Sequence, residues 1–155
     1  MEGDAELQDL YCEVLLDYFR STAHKGKLQA PDFCAHGVNP VCGDEVELTM
    51  AKLNGKIKKI CYAGHGCVIS QASSAMMAEA LEGKTQAQAQ ELAEVFKGMM
   101  LSKAPLESLP ADLEALKSLE GVRKFPMRVK CATLAWNTLL QGLAARNKAE
   151  FEEVE

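Results

Sequence analysis

Apolar positions in this chain recur every three to four residues, then every second residue, then every three to four again, which predicts helix, sheet and further helices in that order. Leu7, Leu10, Tyr11, Val14, Leu15 and Tyr18 lie at helical spacing and predict an amphipathic helix over about 6–20. Residues 21–31 have no period and mix Gly, Pro, Lys and His, which reads as a surface loop. Phe33 to Val38 predicts a short edge strand. Val46, Leu48 and Met50 alternate with Glu45, Glu47 and Thr49, Asn54-Gly55 marks a two-residue turn, and Ile57 to Tyr62 runs back, so an antiparallel hairpin is expected.

Beyond residue 67 the helical period returns. Ile69, Ala72, Ser73, Met76, Met77 and Ala80 predict a helix whose small side chains let it lie close to the sheet, and Gly83 ends it. Thr85-Gln86-Ala87-Gln88 has the form of a capping box, so a second helix should run through Leu92 and Phe96 to about Leu101. Pro105 and Pro110 interrupt the next stretch, leaving one short helix from Ala111 to Leu119 before Gly121. Pro126 suits a first helical position, and Ala132, Trp136, Leu139, Leu140 and Leu143 then make a stripe for burial that ends near Ala144. Residues 1–6 and 147–155 are expected to be disordered tails.

With 155 residues, 48% of them hydrophobic, the chain fits a single domain over 1–155 with a substantial core. Residues 1–6 are acidic where a secretory signal would be basic and then apolar, and no apolar run reaches the roughly 18 residues of a membrane span. An intracellular, cytoplasmic location without membrane contact is therefore expected. The net charge of -5 argues against nucleic acid as a partner, because neutralising phosphates needs a basic face. Against that acidic background Arg123, Lys124, Arg128 and Lys130 form a local cationic cluster.

In a reducing compartment the six cysteines read as metal-binding or reactive thiols rather than disulfides. Three of them occupy distinctive settings. Cys42 sits in the Pro/Gly-punctuated turn Asn39-Pro40-Val41-Cys42-Gly43-Asp44, Cys67 where a strand gives way to a helix, and Cys131 one turn beyond Pro126. The hairpin brings Cys42 and Cys67 to the same end of the sheet despite their separation in sequence. Cys42, Asp44, Cys67 and Cys131 would make a tetrahedral zinc site, with sulfur and oxygen at about 2.0 to 2.3 Å. There is no C-x-x-C pair, so the assignment rests on the setting of each thiol.

A helix start at Cys67, and Arg128 and Lys130 beside Cys131, are expected to lower the pKa of both thiols. His65 either displaces Asp44 as a ligand or polarises the rim of the site, and the rim role is preferred. Arg128 and Lys130 would offset the charge of three thiolates and a carboxylate, which exceeds that of a dication. Cys12, Cys34 and Cys61 lack such settings and read as small hydrophobic filler.

Three segments carry a resemblance: Asn39 to Asp44, Gly66-Cys67-Val68-Ile69-Ser70-Gln71-Ala72-Ser73 with Met76-Met77, and Phe125-Pro126-Met127-Arg128-Val129-Lys130-Cys131-Ala132-Thr133-Leu134. Together they resemble the signature of the IscU/NifU-like family of iron-sulfur cluster assembly proteins, and within it the SufU branch. The resemblance implies an α+β fold, a small antiparallel sheet of about three strands covered by about five helices, in agreement with the pattern above. It implies a zinc-dependent sulfurtransferase that accepts persulfide sulfur from a PLP-dependent cysteine desulfurase and relays it to the downstream iron-sulfur assembly machinery. By the same resemblance Cys42, Asp44, Cys67 and Cys131 are the zinc ligands and Cys42 the catalytic sulfur acceptor. Two features select the SufU branch: Lys130 stands where scaffold members have His, and the segment from Thr85 to Phe125 is longer than theirs. The rival reading is a non-enzymatic scaffold that assembles a transient iron-sulfur cluster on the same thiols. A third is a structural zinc domain acting as an adaptor.

Overall fold

The computed structural model describes residues 12–102 and 109–154. Its frame is an antiparallel meander of β1 (Phe33–Asn39), β2 (Asp44–Leu53) and β3 (Lys56–His65), in the order β1-β2-β3. Alternation along each strand decides the faces. Phe33, Val46, Leu48, Met50, Ile60 and Tyr62 are buried in the core, while Cys34, His36, Glu45 and Glu47 lie on the outer face. Asn54 (φ 55°) and Gly55 (φ 76°) are both left-handed, as the twist of a two-residue hairpin requires.

Register decides where the chemistry gathers. Asn39 pairs with Asp44 at the close of the first hairpin, and Glu45 pairs with His65 on the other side of β2. The turn 40–43, the start of β2 and the end of β3 therefore share one end of the sheet. The loop before β1 is more than a surface connection, because it closes the free edge of β3: Tyr62 N–H donates to His24 O (2.8 Å) and Gly26 N–H to Tyr62 O (2.9 Å).

The helices cover the inner face. Residues 12–20 form the described part of α1 and turn Val14, Leu15, Tyr18 and Phe19 towards the core; residues 6–11 lie outside the described residues. Helix α2 (Val68–Leu81) departs from the one-sided packing that its spacing suggests, since Ser70, Ser73 and Ser74 are buried along with Ala72, Ala75, Met76, Met77, Ala78 and Leu81. Its hydroxyls are satisfied: Ser73 Oγ donates to Ala132 O (2.5 Å) and accepts from Trp136 Nε1 (2.9 Å), while Ser74 Oγ donates to Ser70 O (2.9 Å). Helix α3 (Gln86–Leu101) opens with both halves of the capping box, Gln88 N–H to Thr85 Oγ1 (3.1 Å) and Thr85 N–H to Gln88 Oε1 (3.0 Å). Phe96 of α3 then packs on Trp136 with ring centroids 4.6 Å apart.

Two expectations need correction. The short helix expected to stop at Leu119 is a 3-10 segment over Ala111–Lys124, with non-helical backbone at Leu113, and it passes through Gly121. Its buried residues Leu113, Leu116, Leu119 and Val122 recur every third position, which is the 3-10 period. Helix α4 (Pro126–Val154) does not end near Ala144 but runs on to Val154. No Gly or Pro stands between 144 and 154, and Ala145, Arg146, Lys148, Ala149 and Glu150 favour helix. Residues 1–6 and Pro105 lie outside the described residues. Among the described residues no helix is long and apolar enough to cross a membrane.

Candidate metal centre

Asn39 builds the turn that carries the first thiol. Its carbonyl accepts the Gly43 N–H (2.8 Å) and its Oδ1 the Val41 N–H (3.3 Å), and Gly43 supplies the left-handed backbone (φ 75°) that reverses the chain. Cys42 is left exposed at the tip, while Asp44, two residues on, is only 2% exposed. Cys67 caps α2, its sulfur accepting the Ser70 N–H at 3.4 Å, and its own N–H donates to Asp44 Oδ1 at 3.0 Å. Cys131 is fully buried in α4; its thiol donates to Met127 O (3.6 Å), and Asn39 Nδ2 donates to its sulfur at 4.0 Å.

These elements place one donor atom from each of Cys42, Asp44 and Cys131 within 4.8 Å of one another. Cys67 lies outside that triple, yet its thiol is near enough to act on Cys131 by charge and hydrogen bonding. The Cys131 thiol is pushed strongly up, first by burial, then by the neighbouring Asp44, Cys42 and Cys67. This reverses the expectation that Arg128 and Lys130 lower it. Both cations are exposed, and among the described residues neither makes an ion pair, so water screens them while the thiol is desolvated. Asp44 Oδ2 is buried and has no hydrogen-bond partner. An orphaned carboxylate oxygen between thiols is what a cation would complete, and sulfur with one carboxylate oxygen is a donor set that zinc accepts.

The NifU-like N terminal domain family matches residues 10–132, the stretch that holds the whole cluster. This chain belongs to that family. It is 40% identical over 145 residues to the zinc-dependent sulfurtransferase SufU of Bacillus subtilis (strain 168), covering 93% of this chain and 96% of that one. It is 37% identical over 146 residues to the iron-sulfur cluster assembly scaffold protein IscU of Streptococcus pyogenes serotype M1, covering 94% and 90%. In three dimensions it is similar to the crystal structure of a putative iron-sulfur cluster assembly scaffold protein for the SUF system from Fervidobacterium islandicum AW-1. The TM-score is 0.75 at 36% identity, over 84% of this chain and 94% of the other. The IscU/SufU-like α+β fold expected from sequence is thereby borne out.

In this NifU-like chain the other singled-out residues separate. Arg123 closes the C-terminus of α3, donating to Met99 O (3.4 Å) and Ser102 O (3.0 Å). The His65 side chain is 73% exposed and sits 3.3 Å from Glu45 Oε2, on the outer face of the sheet. Cys61 is buried and its thiol is pushed up by that burial, as filler would be. Cys12 and Cys34 are exposed, contrary to the filler reading; for Cys34 the alternation of β1 places it outward, 3.8 Å from Glu47 Oε1.

Two contributors escaped the sequence reading. Asn39 was visible only as a turn residue, although an Asn before Pro in a thiol-bearing turn signals a side chain folded back on the backbone. Gly66 is the other: a Cβ there would lie 2.8 Å from Asp44 Oδ1 and collide with Ser70 Oγ. Only a glycine before Cys67 leaves room for the buried carboxylate.

Proposed function

We propose that this chain is a zinc-dependent sulfurtransferase that takes sulfane sulfur from a PLP-dependent cysteine desulfurase and relays it to iron-sulfur cluster assembly. The observation that carries the reading is Asp44 Oδ2, a buried carboxylate oxygen with no partner, beside the Cys42 and Cys131 thiols. Burying a polar atom unpaired costs about 1–3 kcal/mol, and more for a charged group. Cys42, Asp44, Cys67 and Cys131 would hold the zinc, which when bound keeps thiols deprotonated at neutral pH.

The chain's own residues then divide the work. Cys131 is buried, Cys67 caps α2, and Asp44 ties the Cys67 backbone to the start of β2, so these three define a fixed floor. Cys42 is exposed, and a Cβ at Gly43 would meet nothing within 4 Å, so the tip of the turn has room to move. The Cys42 sulfur attacks the outer sulfur of the partner's cysteine persulfide, one S–S bond breaking as another forms. The partner's cysteine leaves as a thiolate, with no net oxidation. Val41, Val68, Phe125 and Met127 on the same three segments are exposed apolar side chains that suit a protein partner.

The similarity to SufU supports this reading, and the near-equal similarity to IscU keeps a cluster-assembling scaffold as its rival. Lys130 favours the transferase, because an ammonium before the last cysteine is a poor metal ligand at neutral pH. The test is to add the zinc-loaded chain to a cysteine desulfurase, alkylate, and map the extra sulfur by mass spectrometry. Label on Cys42, faster turnover, and loss of both on stripping the zinc are expected. A stoichiometric, transferable cluster after anaerobic reconstitution with iron and sulfide, with turnover indifferent to zinc, would refute the transferase in favour of the scaffold.

A further inference from the structure

The outer face of the sheet carries a second constellation that the thiol chemistry does not use. His36 on β1, Glu45 on β2 and His65 on β3 stand on three adjacent strands at the same end as the cysteine turn. His36 Nε2 lies 2.6 Å from Glu45 Oε1 and His65 Nε2 lies 3.3 Å from Glu45 Oε2, so one carboxylate is shared through both oxygens by two imidazoles. Their side chains are 53%, 41% and 73% exposed, in strand order. Asp44 faces inward to the thiols and Glu45 outward, as neighbours on a strand must. The two constellations thus back onto each other across β2.

Part of the remaining outer face is already covered. The loop before β1 crosses it, Leu28 N–H donating to Thr49 Oγ1 (3.1 Å) and Lys27 Nζ pairing with Glu47 Oε2 (2.8 Å). Glu47 therefore has an ammonium as its counter-charge. Among the described residues Glu45 has none; its partners are two imidazoles, whose nitrogens are metal donors when neutral.

We propose that His36, Glu45 and His65 form a second divalent-cation site of the zinc class, separate from the thiol cluster. Two imidazole nitrogens and a carboxylate are a recurrent zinc donor set, with water completing the coordination. Strands hold the three residues on a fixed platform, and solvent exposure lets the imidazoles turn about the carboxylate to converge on an ion. With three donors, no thiolate and open water access, this site binds more weakly than the cluster on the inner face. It stands whether or not the inner site acts in sulfur transfer.

The experiment uses the full chain without a histidine tag, loaded first with one equivalent of zinc and then titrated calorimetrically with zinc chloride. A second, weaker equivalent is expected, accompanied by shifts of the His36 and His65 ring signals in NMR. His36→Ala and His65→Ala should each weaken that step at least tenfold and leave the first equivalent unchanged. A cobalt titration separates the two sites, since only an ion held by thiolates shows sulfur-to-metal charge-transfer absorption. Loss of that band from the first equivalent would count against the thiol site alone. A single binding step in the wild type, or a second step that survives in the double variant, would overturn the proposal.

Discussion

Asp44 concentrates the tension of this molecule in one side chain. One oxygen holds the Cys67 N–H, while the other is buried without a partner. Asparagine at this position keeps an acceptor for that N–H and removes the charge. Metal-free Asp44→Asn should therefore be as stable as the wild type or more stable, by about 1 kcal/mol, in urea unfolding with chelator present. Its zinc affinity should fall at least tenfold in competition with a chromophoric chelator. A metal-free variant clearly less stable, with unchanged zinc affinity, would remove the case for a cation at Asp44. Gly66→Ala tests the same carboxylate from the other side, because the added methyl displaces Asp44 or Ser70. A loss of about 1–3 kcal/mol is expected, with weakened zinc binding. Full stability together with full zinc affinity would show that the close approach is not needed.

Among the elements, α2 and α4 carry Cys67 and Cys131, and one hydroxyl joins them. Ser73 Oγ links Ala132 O to the Trp136 indole N–H, in a contact buried on all sides. Ser73→Ala leaves that N–H without an acceptor, at a cost of about 1–3 kcal/mol. Because Ala132 adjoins Cys131, the loss should also loosen the zinc site, detected as faster transfer of zinc to a chelator. Unchanged stability and unchanged transfer would mean that the two helices are held by apolar packing alone. Much at this scale was legible in the sequence. The Asn54-Gly55 hairpin, the Thr85 capping box and the Pro126 start are local signals, each read within four or five residues of backbone, and each stands where expected. The 3-10 segment was not read, although the triplet spacing of Leu113, Leu116, Leu119 and Val122 was there to find. A 3.6-residue template cannot register a period of three.

For the whole molecule, a metal bound to the native state alone is stabilising by mass action. Free zinc at about a thousand times its dissociation constant contributes about 4 kcal/mol, which in a chain of this size raises the Tm by on the order of 10 °C. Stripping with chelator should lower the calorimetric midpoint by that order, and adding zinc back should restore it. A midpoint insensitive to both would show that the cluster does not hold zinc. That Cys42, Asp44 and Cys131 come together was legible, because turns, helix starts and recurring motifs mark each residue in its own neighbourhood. What each side chain experiences was not legible. The sequence read Cys131 as a thiol eased towards ionisation by nearby cations, and packing made it the reverse, by burying the sulfur and leaving Arg128 and Lys130 in water. It read Cys34 as filler, and the alternation of β1 turned it outward. The sequence by itself determined the elements and the residue types available for chemistry, since those depend on contacts a few positions apart. Only the tertiary structure decided desolvation, the orphaned oxygen of Asp44 and the His36-Glu45-His65 line across three strands, because strand register and helix packing join residues whose spacing along the chain says nothing of their distance in space.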